Sequence, residues 1–332
     1  MIKLLSPAGC EEAVYVAFEN GADAVYVAPA EWSRRVAAFS VDDEALHRCI
    51  DYANAHKKEI RIPLNAYLQD KDISYLLAKI EKYVNWGVTG IIAADLALIG
   101  EINRLFPQTK IYASAACGVS NVEMAKFFKD MGVCEIVAPY SLTPEEMAVI
   151  RREADIGVEA FAHGHLDFNQ CGFCWMSTYF KRQVYEEAKE RKYIIGSVNR
   201  GGGCFRICRA VWNLLDGKGK IINEDYLQEG KTYYFYYGLD LLGEYVQAGV
   251  TSLKVMGRSY SVELVRRITR LYRSLLDRAI ADPADYRPTK PEMEEAEAIE
   301  AMRAKIWQEK CYSLLGQTSL KRREICVREA SL

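Results

Sequence analysis

Long apolar runs are missing from this 332-residue chain, and so is any large excess of charge of one sign. No stretch approaches the ~20 apolar residues of a membrane span. The opening MIKLLSPAG enters a strand-like run at once, without the apolar core of a signal peptide. The expectation is a cytoplasmic protein with no membrane segment. The formal net charge is only -2, which argues against nucleic acid as the main partner, because counterion release needs a concentrated basic face. Histidine is scarce, at 4 residues, and a cysteine peptidase needs a thiolate paired with one. There is no nucleophile elbow, H-E-x-x-H motif or Walker loop, which removes the commonest hydrolase and nucleotide-binding readings.

What is present is the composition of an ordinary globular protein, 50% hydrophobic and 27% charged. Short β-rich runs alternate with amphipathic helical stretches, the pattern of repeated βα units around a parallel sheet. Strands are expected at Lys3 to Leu5, Ala24 to Val27, Ile60 to Leu64, Gly90 to Ala93, Lys110 to Tyr112, Glu135 to Val137 and Val158 to Phe161, with an eighth at Ser252 to Val255. Helical patterns lie between them, and Thr143-Pro144-Glu145-Glu146 offers an N-cap, a first-turn proline and acidic residues at the positive helix end. Eight such units predict an α/β fold, a TIM-barrel-like (β/α)8 domain over 1–280. The rhythm breaks after strand seven, where an insertion at about 163–237 carries paired cysteines. Loops after barrel strands sit at the catalytic face. Residues 281–332 read as a charged, helical C-terminal appendage.

Ten cysteines in a cytosolic chain do not make a disulfide framework. Six are scattered singly, Cys10, Cys49, Cys117, Cys134, Cys311 and Cys326, and read as small core hydrophobes. The other four form a C-x-x-C pair, Cys171 and Cys174, and a C-x-x-x-C pair, Cys204 and Cys208. Short spacings let neighbouring sulfurs converge on one centre, which fits either an iron–sulfur cluster or zinc. Phe168, Phe173, Trp175 and Phe205 flank them, and Gly201-Gly202-Gly203 would let the backbone approach inorganic sulfide. Spacing alone leaves cluster and zinc both open.

The words around those cysteines carry more: Leu5-Ser6-Pro7-Ala8-Gly9, Gly21-Ala22-Asp23-Ala24-Val25-Tyr26, Glu159-Ala160-Phe161-Ala162-His163-Gly164, Asn199-Arg200-Gly201 with Cys204 and Cys208-Arg209, and Lys254-Val255-Met256-Gly257-Arg258. In order and to about Arg278, the chain resembles the collagenase-like peptidase U32 family, and is nearest in type to the short iron–sulfur members of oxygen-independent ubiquinone biosynthesis. The resemblance implies a barrel, a 4Fe-4S cluster and oxygen-independent hydroxylation of RNA bases or ubiquinone precursors, with a prephenate-like oxygen donor in some members. Cys174, Cys204 and Cys208 match family cysteines. Two family cysteines are replaced here, by Asp167 and Leu242. Cys171 lies close enough to Cys174 to supply the missing thiolate, with Asp167 as its competitor.

Other site residues follow. His163 is expected after strand seven as a proton donor or substrate contact, and Glu159, placed on the same face by alternation, as its orienting or acid/base partner. Arg34, Arg35, Arg200, Arg209 and Arg258 are cations beside barrel-end loops or cluster segments, suited to a carboxylate. Asn65 and Ser114 are polar candidates at the barrel mouth. The expected function is hydroxylation or related modification of a small aromatic, quinone-like or carboxylate substrate. The alternatives are a noncatalytic iron–sulfur partner of a homologous subunit, a U32-type peptidase and an RNA-base hydroxylase. A homologous partner protein or a homo-oligomer is also implied by the paired family type.

Overall fold

The computed structural model describes residues 2–29, 40–66, 68, 70–165, 183–187, 191–195, 212–227 and 235–315. The regular alternation runs β1 (Lys3–Ala8), α1 (Glu11–Glu19), β2 (Ala24–Val27), α2 (Asp43–Ala55), β3 (Glu59–Leu64), α3 (Asp70–Asn85), β4 (Gly90–Ala93), α4 (Leu96–Leu105), β5 (Lys110–Ala113), α5 (Val122–Asp130), β6 (Val133–Val137), α6 (Pro144–Glu153) and β7 (Gly157–His165). Four further strands follow: β8 (Gln183–Glu187) with β9 (Arg191–Ile195), and β10 (Trp212–Leu215) with β11 (Ile221–Leu227), each an antiparallel pair. The chain then resumes with β12 (Phe235–Tyr237), α7 (Leu242–Gln247), β13 (Ser252–Val255), α8 (Val262–Ala281) and α9 (Lys290–Leu315).

Strands β1 to β7 pair in parallel in chain order, β7 pairs with β13, and β13 returns to β1, so the sheet closes on itself. This is the eight-stranded β/α barrel that the alternation predicts. The helix starts are written in the sequence. Asp42, Asp95, Asn121 and Ser261 each accept a backbone N–H three residues on. Thr143 and Glu146 form a reciprocal capping box with Pro144 in the first turn.

Strand alternation divides the apolar residues into two layers. Leu4, Val25, Ile60, Ile62, Ile91, Ile111, Ile136, Val158 and Leu253 face the helices and join the main core. Leu5, Ala24, Tyr26, Ile92 and Tyr112 form a second, smaller cluster inside the barrel. Gly90 opens β4 at a close approach to β5: a Cβ there would stand 2.3 Å from the Lys110 carbonyl oxygen and 2.7 Å from the Tyr112 ring. Gly90→Ala is therefore expected to cost about 1–3 kcal/mol by overpacking, read as a lowered urea midpoint. An unchanged midpoint would mean that the strands part more easily than this packing implies.

The C-terminal helix packs against α8 as far as its side chains are described. Ala296, Ile299 and Arg303 are buried, and Glu295 pairs with Arg267 of α8 at 2.8 Å. Among the scattered cysteines, Cys49 is buried and Cys117 half-buried, but Cys10 and Cys134 are exposed, against the expectation of core positions. Cys10 lies just before α1 and Cys134 near the start of β6, at element ends where a small residue is not enclosed. The side chains of Cys311 and Cys326 fall outside the described residues. No helix among the described residues is long and apolar enough to cross a membrane.

Candidate active site

Part of the barrel interior is ionic. Arg61 on β3 is 1% exposed and donates from one terminal nitrogen to Glu135 on β6 at 2.6 Å and to Glu159 on β7 at 2.8 Å. Its other terminal nitrogen reaches Glu59 at 3.2 Å, and its guanidinium lies 4.1 Å from the Tyr112 ring centroid. Ser252 on β13 donates to Glu135 at 2.7 Å. Burial alone would lower the basicity of Arg61, but the surrounding carboxylates reverse that and raise it. Burial likewise disfavours ionised Glu59, yet Lys3, Arg61 and Lys110 hold its pKa at about 2.

Above this layer, toward the C-terminal ends of the strands, stands Lys254. Its ammonium donates to Glu159 at 2.7 Å and lies 4.8 Å from the Tyr26 ring centroid and 5.9 Å from that of Phe161. Tyr140, just after β6, stacks on Phe161 with centroids 4.3 Å apart and gives its hydroxyl to the Met256 sulfur. Asn65 donates to Ser114 at 3.2 Å, so these two expected site residues meet at the ends of β3 and β5. Arg258 is buried just beyond β13.

His163 and Glu159 do not meet. Glu159 faces the barrel lumen, whereas both ring nitrogens of His163 are engaged by tyrosine hydroxyls, Tyr272 of α8 at 3.2 Å and Tyr260 at 3.0 Å. The expectation rested on strict alternation, and the pairing of β7 with β13 breaks it. Lys254 faces Phe161 but Val255 faces His163, so β7 spends an extra residue at this step and turns the imidazole toward the helices. His163 also lies within β7, not after it. Burial, with help from nearby Arg303, lowers its pKa to about 3. An unfolded histidine accepts a proton below about 6.5, so stability is lost as the pH falls from there toward 3. Between pH 7 and pH 5 the wild-type chain is expected to lose about 2 kcal/mol more than His163→Gln, measured by urea unfolding at both values. Equal losses would contradict a neutral, buried imidazole.

The insertion is rooted at this same end. The chain leaves the barrel at His165 and returns at Phe235, and these two residues pair across antiparallel strands, as do Gly164 with Tyr236 and His163 with Tyr237. Gly164 is required there, because a Cβ would meet the Met256 side chain at 2.6 Å. The four expected ligands Cys171, Cys174, Cys204 and Cys208 lie between these roots in sequence, with Asp167, Arg200 and Arg209, and all of them fall outside the described residues, as do Arg34 and Arg35 between β2 and α2. Among the described residues, no group of three or more histidine, cysteine or acidic side chains is arranged to hold a metal.

Arg61, Glu135 and Lys254 were not singled out from sequence as site residues. Their signal was there: charges at every second position of otherwise apolar strands, Glu59 and Arg61 in EIRIPL and Lys254 in SLKV. Such a pattern marks a polar inner face.

A closed β/α barrel with ionic side chains under its C-terminal mouth and a long insertion rooted at that mouth is the architecture on which barrel enzymes carry their sites. The model of peptidase family U32 matches residues 9–312, and the chain belongs to that family. It is 30% identical over 286 residues to the 23S rRNA 5-hydroxycytidine C2501 synthase of Escherichia coli (strain K12), covering 86% of this chain and 40% of that protein. It is 25% identical over 297 residues to tRNA hydroxylation protein P1 of Bacillus subtilis (strain 168), covering 88% and 67%. It is 28% identical over 304 residues to an uncharacterized protease of Methanocaldococcus jannaschii, covering 86% and 69%. The chain thus spans less than half of the rRNA-modifying relative.

Proposed function

We propose that this chain is an RNA-modifying enzyme that hydroxylates a nucleoside base without molecular oxygen. The reading is carried by the similarity to relatives named for rRNA and tRNA hydroxylation over most of this chain, joined to a barrel whose polar interior lies beneath the root of a cysteine-bearing insertion. The small aromatic or quinone-like substrate expected from sequence gives way to RNA on that similarity. The low net charge that argued against nucleic acid describes the whole chain and leaves a local basic face open.

Cys171, Cys174, Cys204 and Cys208 would hold a 4Fe-4S cluster. A set of thiolates is the donor chemistry of such clusters, as it is of zinc. When bound, the cluster would supply a redox-active or Lewis-acidic centre. The protein's own described groups would handle protons in the lumen: Lys254 donates to Glu159, and Glu159, held by Arg61 and Lys254, is the carboxylate in contact with that ammonium. Arg258, with Arg34, Arg35, Arg200 and Arg209, would hold a carboxylate-bearing oxygen donor of the prephenate type. A peptidase reading has little to use in His163, whose two nitrogens are both occupied.

Mass spectrometry of nucleosides from the RNA of cells with and without the gene tests the proposal. The expected result is one hydroxylated nucleoside lost on deletion and restored by the wild-type gene. An unchanged nucleoside profile beside an altered quinone pool would overturn it in favour of the small substrate.

A further inference from the structure

Residues 159–164 and 254–258, two of the segments that carry the family resemblance, meet where β7 and β13 end. Met256 donates its backbone N–H to the His163 carbonyl at 2.8 Å. Gly164 makes room for the Met256 side chain, and Gly257 makes room for the Tyr260 ring, which a Cβ would approach to 2.8 Å. The His163 ring is fully buried, with Tyr260 and Tyr272 of α8 set edge-on to it.

Counting hydrogens fixes the direction of the bonds around that ring. A carbonyl only accepts, so the one hydroxyl hydrogen of Tyr272 goes to Ala162, at 2.8 Å. Tyr272 must then accept from His163, which places a hydrogen on Nδ1. Burial and Arg303 keep the imidazole neutral, so Nε2 is bare and accepts from Tyr260. The Tyr260 hydrogen serves two acceptors, Nε2 at 3.0 Å and Glu300 of α9 at 3.2 Å. Arg303, one turn on, donates to Glu300 at 2.5 Å.

The same spot holds both ends of the insertion. The Ala162 carbonyl accepts from Gly238 at 2.8 Å as well as from Tyr272, and His163 pairs with Tyr237 of β12. We infer that His163 is a positioning residue: held with its hydrogen on Nδ1 by Tyr272 and Tyr260, it pins the departing and returning strands of the insertion to α8 and, through Glu300, to the C-terminal helix α9. The inference rests on the reading that the insertion carries the chemistry, and it gives α9 a part in placing it. Being enclosed, His163 acts through the backbone of β7.

Nitrogen-15 NMR of the full chain, labelled on histidine and purified anaerobically, tests the bonding. At pH 7 the His163 signal, assigned by its loss in His163→Gln, is expected to show a protonated Nδ1 beside a bare Nε2. A hydrogen on Nε2, or an imidazolium, would overturn the pin, and this result stands whether or not any Tyr260 variant folds. Amide exchange tests the coupling. Tyr260→Phe removes the shared hydroxyl and is expected to speed exchange about tenfold in 157–165, 235–238 and 296–303, with β2 to β4 across the barrel unchanged. Unchanged exchange in those segments, or equal acceleration throughout the barrel, would also overturn it. The two proposals fail separately. The expected tautomer and exchange, beside a wild-type gene that restores no modified nucleoside, remove the RNA reading and keep the pin. A nucleoside lost on deletion and fully restored by Tyr260→Phe keeps the RNA reading and removes the pin.

Discussion

Replacing Arg61 with methionine is expected to destabilise the fold by about 3–5 kcal/mol, the range found when one partner of a buried ionic network is removed. The guanidinium is 1% exposed and bridges three strands' worth of carboxylate, Glu59 on β3, Glu135 on β6 and Glu159 on β7. Without it, Glu135 keeps only the hydroxyls of Thr251 and Ser252, at 2.7 Å each, and Glu159 keeps Lys254. Two carboxylates would then compete for the single Ser252 hydroxyl proton in a low-dielectric interior, with Lys254 pairing Glu159 and no described cation pairing Glu135. Arg61→Lys should recover only part of the loss, because a single ammonium lacks the fork that serves separate carboxylates. Urea unfolding at pH 7 measures this directly. The double variant Arg61→Met with Glu135→Gln is expected to be less destabilised than the sum of its parts, which marks the coupling. A loss below about 1 kcal/mol for Arg61→Met would show that the network is solvated.

The same residues show what could be read without coordinates. All eight barrel strands and the N-cap at Thr143 were legible, because the strand runs are nearly continuous in apolar residues, bounded by turn residues, and the cap is a local motif. The side on which His163 points was not. It is set by a register shift between β7 and β13, two segments far apart in sequence, and alternation within β7 alone gives the opposite answer. A lone lysine in a strand, as Lys254 is, becomes informative only once closure of the sheet turns it inward, beside Glu159. Asn65 and Ser114 were named singly, and the bond between them depends on the ends of β3 and β5 coming together at one end of the barrel.

The second large effect concerns the insertion. Cys174→Ala and Cys204→Ala are each expected to abolish restoration of the modified nucleoside in a deletion strain, since loss of one thiolate opens the cluster. Cys10→Ala, at an exposed position before α1, is expected to restore it fully. Cys171→Ala and Asp167→Ala divide the choice of fourth ligand: the first is expected to fail and the second to succeed. The opposite pattern would assign the position to Asp167. Retained function in both Cys174→Ala and Cys204→Ala would remove the cluster from the reaction.

The most direct measurement is the iron and acid-labile sulfide content of the wild-type chain purified without oxygen, read beside its visible spectrum. About four irons and about four sulfides per chain, with a brown colour that Cys204→Ala lacks, are the expected result. A colourless protein holding about one zinc per chain would contradict it.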